Sequence, residues 1–464
     1  MSVHDPAQDT VSADPAAGLR RTLQRRHMQM IAIGGVIGAG LFVGSGVVIR
    51  STGPATILSF AITGALVVLV MRMLGEMAAA FPSAGGFYEL NRLALGPMVG
   101  FLTGWMYWYF WVIVVAWEAV AGAGLINFWF PHVPPWQLAL ALVLGFTILN
   151  LLSVRTFGEA EYWFSSVKVV AIIAFLCLGV AVLLGAWPGH PGGFANLTAH
   201  GGFMPHGLAP VLTGAVTATG FYFGAELVTI AAAESAEPEH AVARATQSVI
   251  SRVLVFYIGS IFIVVSILPW NSPAVSHPYV GTLEELRIPA AANVMNAVIL
   301  TAVLSALNSG LFASSRMLRQ MARNGDAPQV LVRLSARGVP TWAILTGTVF
   351  GYWAVYMDHV SPDHVFHFLA TSYGTLGIFV YLFIACAELR LRGRLQREAP
   401  ERLRLRMWGY PWLPVLTIAA ILACLTAMAF IPDQREALVF GLASAAVMAL
   451  GYVLRRRFGP AIRA

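Results

Sequence analysis

Four ionisable side chains fall inside long apolar stretches of this 464-residue sequence: Glu76, Glu118, Lys168 and Glu226. A charge at the centre of a bilayer costs about 2.5–3.5 kcal/mol on insertion scales, so such residues point to a site. Lys168 is the single lysine beside 28 arginines, and it lies in WFSSVKVVAIIAF. An ammonium is a compact charge that can surrender a proton, whereas a guanidinium stays charged. That chemistry suits proton coupling. The alternative is an interfacial lysine snorkelling near Arg155. Glu226 stands two residues after Gly224 within a glycine-interrupted stretch, where it either relays a proton or accepts from backbone N–H groups freed by a break. Glu118, in the aromatic stretch YFWVIVVAWEAVAG, either meets a substrate ammonium or is a buried structural acid. Glu76 has Arg72 four residues earlier, a spacing that favours an ion pair. Phe221, Tyr222 and Phe223 flank Gly224, where aromatic rings either cover a bound molecule or pack in the core. His364 and His367 have no carboxylate or cysteine company and read as surface histidines. Cys177, Cys386 and Cys424 show no metal or disulfide spacing. No metal and no cofactor is expected. Ser-His-Asp, Walker and CxxC patterns are absent, so no enzyme is expected either.

The elements that carry these residues follow from composition. The chain is 58% hydrophobic and 11% charged, where soluble proteins carry roughly 25% charged residues. That excludes an ordinary soluble enzyme, a disordered chain and a nucleic-acid binder. Long apolar runs in lipid must be helices, and strand-like alternation is missing. The reading is an all-α integral membrane protein with twelve transmembrane helices, near 28–50, 54–80, 97–129, 135–153, 159–185, 208–233, 246–269, 289–320, 341–357, 364–389, 410–430 and 435–454. Arginine alternates between connections: four at 19–27, four at 317–340, seven at 390–409 and four after 454. Arg50, Arg287 and Arg435 are all that fall on the other side. The positive-inside rule then places both termini in the cytoplasm, in keeping with an even number of spans in a plasma (inner) membrane. The net charge of +7 is a topology signal rather than a nucleic-acid patch. The polar first twenty or so residues read as a disordered tail, with no cleavable signal peptide expected.

Two spans are interrupted by glycine. The first reads IAIGGVIGAGLFVGSG and the sixth VLTGAVTATGFYFGAELVTIAAAE. Glycine is costly inside a helix, so clusters of it permit local unwinding. The alternative is close packing through small residues. Broken spans five apart imply two five-helix repeats of opposite orientation, with a site at mid-membrane. Unwinding near Gly38-Ala39-Gly40 frees N–H groups that suit a carboxylate. A half-helix C-terminus offers carbonyls to an ammonium. Together the breaks suit a zwitterion, and an amino acid is the simplest one.

RRHMQMIAIGGVIGAGLFVGSG, FGEAEYWFSSVKVVAII, GAELVTIAAAESAEPEHAVARA and NSGLFASSRMLRQMARNGDAP resemble blocks of the amino acid transporter family within the amino acid–polyamine–organocation superfamily. The resemblance spans about 20–455. MRMLGEMAAAFPSAGGF, GWMYWYFWVIVVAWEA, ELVTIAAAES and RLRMWGYPWL are similar to its 4-aminobutyrate permease branch. The resemblance implies an inverted-repeat, LeuT-like core with helices 1 and 6 broken, two extra helices, and secondary active uptake with 4-aminobutyrate as leading substrate. Another amino acid (aromatic, proline or other neutral), an exchanger, and a non-transporting receptor remain as alternatives. It also implies that Ile37, Gly38, Ala39 and Gly40 hold the carboxylate. Phe221 to Gly224 hold the amine and gate. Lys168 matches a helix 5 lysine that, in proton-driven relatives, stands where sodium-coupled cousins bind an ion. The expected partners are thus an amino acid substrate, protons and lipid. Two positions depart from the family pattern: Ala39 replaces a common Thr, and Phe221 follows Gly220 where an aromatic-then-small order is usual. The implied organisation is a tail (1–26), a ten-helix core (27–389), an arginine-rich cytoplasmic loop (390–409), two more helices (410–455) and a tail (456–464).

Overall fold

The computed structural model describes residues 23–35, 37–38, 40–81, 84, 86–190, 192–231, 253–360 and 374–458. These are helical almost throughout. Among them, eight helical stretches are long and apolar enough to cross a membrane.

The expected first span divides. Helix α1 (Arg25–Gly34) stops at the glycine pair, a single π-turn covers Gly40–Gly44, and α2 (Ser45–Thr52) resumes. Next come α3 (Thr56–Ala80), a short α4 (Phe87–Leu95), α5 (Pro97–Asn127) and α6 (Pro135–Leu152). Helix α7 (Val154–Leu183) starts five residues before the apolar run because Ser153 caps it, accepting the Thr156 N–H at 3.0 Å. The expected sixth span divides as the first does, into α8 (Leu208–Thr219), a 3₁₀ turn over Gly220–Tyr222 and α9 (Leu227–Ala231). The start of the expected seventh span lies outside the described residues. A π-helical stretch over Val253–Gly259 leads into α10 (Ser260–Ile267), followed by a short α11 (Pro278–Glu285). Then follow α12 (Ala291–Arg323), α13 (Thr341–Val360), α14 (Gly374–Glu398), α15 (Trp412–Phe430) and α16 (Pro432–Phe458). His364 and His367 lie outside the described residues.

Helix α12 packs along α5 and α7, and α1 lies against α7 and α9. Polar side chains bind some of these contacts. Ser59 and Thr63 of α3 donate to the carbonyls of Val211 and Ala215 on α8, each at 2.7 Å. Such interhelical bonds each contribute about 0.6–1.7 kcal/mol in a membrane protein. Helices α15 and α16 instead turn Val415, Leu416, Val447, Leu450 and Val453 outward, as a lipid-facing surface requires. The chain ends of α3, α12, α14 and α16 gather with the start of α1 at one, arginine-rich end of the bundle. Glu76 meets Arg392 there, Arg26 meets Glu159, and Asp326 meets Arg455. Arg72 lends Glu76 the favourable charge that the i, i+4 spacing predicts. The structure brings Arg392 to that carboxylate at 2.8 Å from 316 residues away, with the Met407 N–H, while Arg72 donates to the Arg406 carbonyl.

Candidate functional site

The two interruptions touch. Gly35 has no room for a side chain, since a Cβ there would lie 2.8 Å from the Ile31 carbonyl oxygen and 3.2 Å from that of Gly224. Beyond it the helix is lost, and the Ile37 carbonyl accepts the Lys168 ammonium at 3.0 Å. Gly38 belongs to the same unwound stretch, Gly40 opens the π-turn, and Ala39 lies outside the described residues. The glycines at 40 and 44 make a slot for one ring. A Cβ on either would stand 2.6 Å from Phe221. Single π-turns of this kind recur at functional sites. The order of contacts, 35 with 224 and then 40 and 44 with 221, means the two broken stretches cross antiparallel.

In the second interruption Phe223 is extended and Gly224 has φ +111°, a conformation that only glycine adopts without strain. Both Glu226 carboxylate oxygens stand 3.2 Å from the freed Gly224 N–H, and the Tyr381 hydroxyl donates to the carboxylate at 3.0 Å. The Phe223 ring sits edge-on to Phe110 and Tyr381 and fills the space left by Gly377. Tyr257 donates to the Phe221 carbonyl at 2.9 Å and stacks on Tyr222 at 4.2 Å. Both families of aromatic contact hold the irregular backbone in place.

Lys168 is completely buried, so its charge is not at an interface. Its ammonium also donates to the Ser305 hydroxyl at 2.8 Å. Ser305 donates in turn to Glu161 at 2.5 Å, and Ser165 does so at 3.0 Å. Glu161 was not singled out from the sequence, yet it is fully buried, and α12 supplies Asn308 to its second oxygen. Asn150 of α6 completes the set by donating to Asn308 at 3.0 Å. The signal for Glu161 was present. Glu161, Ser165 and Lys168 are spaced i, i+4, i+7 and share one helical face. Glu118 reaches the first break from α5. Its Oε1 stands 3.8 Å from where a Cβ on Gly38 would lie, it shares the electrostatic field of Lys168, and its buried Oε2 has no hydrogen-bond partner among the described residues. Ile37, Gly38, Gly40, Glu118, Lys168, Phe221, Phe223, Gly224 and Glu226 thus line or brace one region.

A cavity of about 1040 Å³ opens from that region towards the end opposite the arginines. Its walls include Val47, Arg50, Trp117 and His277, and Gly44 and Phe221 also line it.

The model for the amino acid permease family matches residues 27–457 of the sequence. The chain belongs to the amino acid permease family. The permease is 49% identical to the gamma-aminobutyric acid permease of Bacillus subtilis (strain 168), with 95% of this chain and 94% of the relative covered. It is 43% identical to the gamma-aminobutyric acid permease of Escherichia coli (strain K12), over 93% and 92% of the two chains. An aromatic amino acid transport protein of Corynebacterium glutamicum is 41% identical, over 89% of each chain. The family expected from the sequence blocks is therefore the family found. Among solved structures, a manganese transporter of Eremococcus coleocola superposes with a TM-score of 0.57 at 14% identity, covering 94% of this chain and 95% of that one. This likeness speaks to the fold alone. The permease is a multi-pass membrane protein.

At its arginine-rich end the permease gathers several side chains around Asp326. Arg92 of α4 and Arg455 of α16 each reach that carboxylate at 2.5 Å, and the Tyr88 hydroxyl donates to it at 2.5 Å. Burial first, then the Asp326 hydrogen bond and charge, push the Tyr88 hydroxyl above the usual phenol range. The Trp105 indole donates to the Asp326 backbone at 3.2 Å. Three separate helices, α4, α5 and α16, thus converge on one residue just past α12.

Proposed function

We propose that this permease is a proton-coupled importer of 4-aminobutyrate in the plasma membrane, its work being transport rather than catalysis. The fold would be twelve spans, with an inverted five-helix repeat of the LeuT type over residues 27–389 and two further helices in 410–455. The antiparallel crossing of the two broken stretches supports the repeat. The arginine-rich end, the 390–409 loop and both tails (1–26 and 456–464) would face the cytoplasm. The names of the Bacillus and Escherichia relatives support the substrate.

One observation carries the coupling: a buried ammonium, Lys168, bonded to the unwound Ile37 backbone. A fixed positive charge there repels a sodium ion, while the exchangeable proton of an amine can be gained and lost. In this reading the 1040 Å³ cavity is an outward vestibule. Substrate passes Phe221, lays its carboxylate on the N–H groups of Gly38 to Gly40, and turns its distal ammonium to Glu118. Phe221 and Phe223 close over it, and Glu226 steadies the second break as the bundle rocks. Opening to the cytoplasm requires the Asp326 ties to part.

Labelled 4-aminobutyrate uptake into proteoliposomes under an imposed pH gradient tests both halves. Accumulation should follow the gradient without sodium. Accumulation that needs sodium and ignores the gradient rejects proton coupling. Glu118→Gln should weaken 4-aminobutyrate about tenfold more than an α-amino acid, because a charge-assisted bond to the distal ammonium is lost. Equal weakening removes Glu118 from the pocket.

A further inference from the structure

Serines inside membrane helices usually donate back to their own helix. In α12, Ser314 and Ser315 do so, bonding to the carbonyls of Leu311 and Phe312. Ser305, on the same helix, does not. Its oxygen accepts from the Lys168 ammonium at 2.8 Å, and its hydroxyl donates across to the Glu161 carboxylate at 2.5 Å. Lys168, Ser305 and Glu161 therefore form an unbroken donor–acceptor line, with every member buried.

We propose that Ser305 is a proton relay and that Glu161 is the acceptor that discharges Lys168. The inference rests on the reading of Lys168 as the coupling residue. In one concerted step the Ser305 O–H bond breaks and its proton joins Glu161 Oε1. A Lys168 N–H bond breaks and that proton replaces the one Ser305 gave up. Lysine becomes a neutral amine, glutamate a carboxylic acid, and serine is unchanged. No charge leaves the cluster, so the step avoids stranding an ion in a dry interior. It also moves the proton towards the arginine-rich end. Glu161 precedes Lys168 by seven residues, about 10 Å along α7 at the rise of an α-helix. Glu159, two residues nearer that end, has a side chain 32% exposed and is paired with Arg26.

The surroundings favour this acceptor. Helix α5 contributes the titratable Glu118, α12 contributes only the neutral Ser305 and Asn308, α6 contributes Asn150, and the first break contributes the Ile37 carbonyl. Of the two carboxylates, Glu161 is the one the structure joins to Lys168 through a hydroxyl. Ser165 and Asn308 hold its two oxygens in line. Glu118 is left to the substrate ammonium. Occupying Glu118 would remove its attraction for the lysine charge as the proton departs, which ties substrate binding to proton release.

The experiment uses the full-length permease in proteoliposomes loaded with a pH-sensitive dye. It compares accumulation of 4-aminobutyrate under a pH gradient with exchange at equal substrate on both sides, which needs no net proton release. Ser305→Ala and Glu161→Gln should each lower accumulation and dye response about a hundredfold further than exchange, the scale of losing a proton-transfer group. Ser305→Thr, which keeps the hydroxyl, should restore accumulation. Wild-type accumulation by Ser305→Ala overturns the relay. So does a parallel fall of accumulation and exchange in both Ser305→Ala and Ser305→Thr, which marks a packing role. If the unmodified permease is proton-driven and Ser305→Ala matches it, the relay alone fails. If the unmodified permease follows sodium, the coupling role of Lys168 and the relay fail together.

Discussion

The two broken stretches of this permease expose opposite ends of the peptide group, and each is answered by the opposite charge. At the first break the orphan is a carbonyl, Ile37, and a buried ammonium takes it. At the second the orphan is an N–H, Gly224, and a buried carboxylate takes it. An unpaired backbone group in a dry interior costs about as much as a lost hydrogen bond, so neither break could persist bare. The difference lies in what stands behind each charge. Lys168 is backed by a polar line through Ser305 to Glu161, Asn308 and Asn150. Glu226 is backed by aromatic rings, with Tyr381 donating to it and Phe223 packed alongside. The first arrangement can pass a proton on. The second clamps a shape. On the proposed reading, charge moves at the first break and geometry is fixed at the second.

The sharpest way to break that assignment is at Lys168. Lys168→Ala leaves the Ile37 carbonyl and the Glu161 carboxylate without their cation, and removing one partner of a buried charge set costs about 3–5 kcal/mol. Gradient-driven uptake should fall below about one hundredth of the unmodified rate, in line with loss of an acid–base group. Lys168→Arg should not rescue it, because a guanidinium keeps its proton and its planar fork does not fit the place of an ammonium. Uptake near the unmodified level in either variant, measured with transporter abundance in the membrane held equal, would reassign the charge movement.

A smaller effect is expected from the backbone of the second break. Gly224→Ala forces a side chain into φ +111°, a strain of about 1–3 kcal/mol. Thermal stability in detergent should drop, and exchange should fall together with accumulation, since the fault is in shape rather than in proton movement. A loss confined to accumulation would contradict the clamp.

Much of this was legible in the sequence, for identifiable reasons. A lone lysine among 28 arginines stands out in any count. Glycine clusters mark both breaks because the backbone needs them, at Gly35 for close approach and at Gly224 for its dihedral. Glu161 was hidden by its neighbour. Glu159 sits two residues earlier, and residue types alone do not say which of the two faces inward. Two residues along a helix are about 200° of rotation, which turns Glu161 inward while Glu159 faces out. Its partners Ser305 and Asn308 lie more than 140 residues away, and one sequence cannot pair them. Arg392, Tyr381 and Arg455 were missed for the same reason: each contact is made by distant helices. The glycines at 40 and 44 carried a meaning beyond unwinding. They form a slot for Phe221, so the displaced aromatic that departs from the family pattern has a seat of its own.

The finest test of the comparison is Tyr381→Phe. It removes one donor to Glu226 and keeps the ring against Phe223. The carboxylate retains the Gly224 N–H, so the break should hold, at a cost of about 1–3 kcal/mol for one bond to a charged group. Uptake should fall only about fivefold, which is the smaller end of that range once other contacts share the strain. The pH profile of uptake decides the role of Glu226. A carboxylate that only clamps stays ionised through the cycle, and removing a donor then lowers the whole profile without moving it. A carboxylate that takes up and releases the transported proton is easier to protonate once Tyr381 no longer stabilises its charge, which shifts the acidic limb of the profile to higher pH. An unshifted profile keeps proton movement at Lys168, and a shifted one brings Glu226 into the same path.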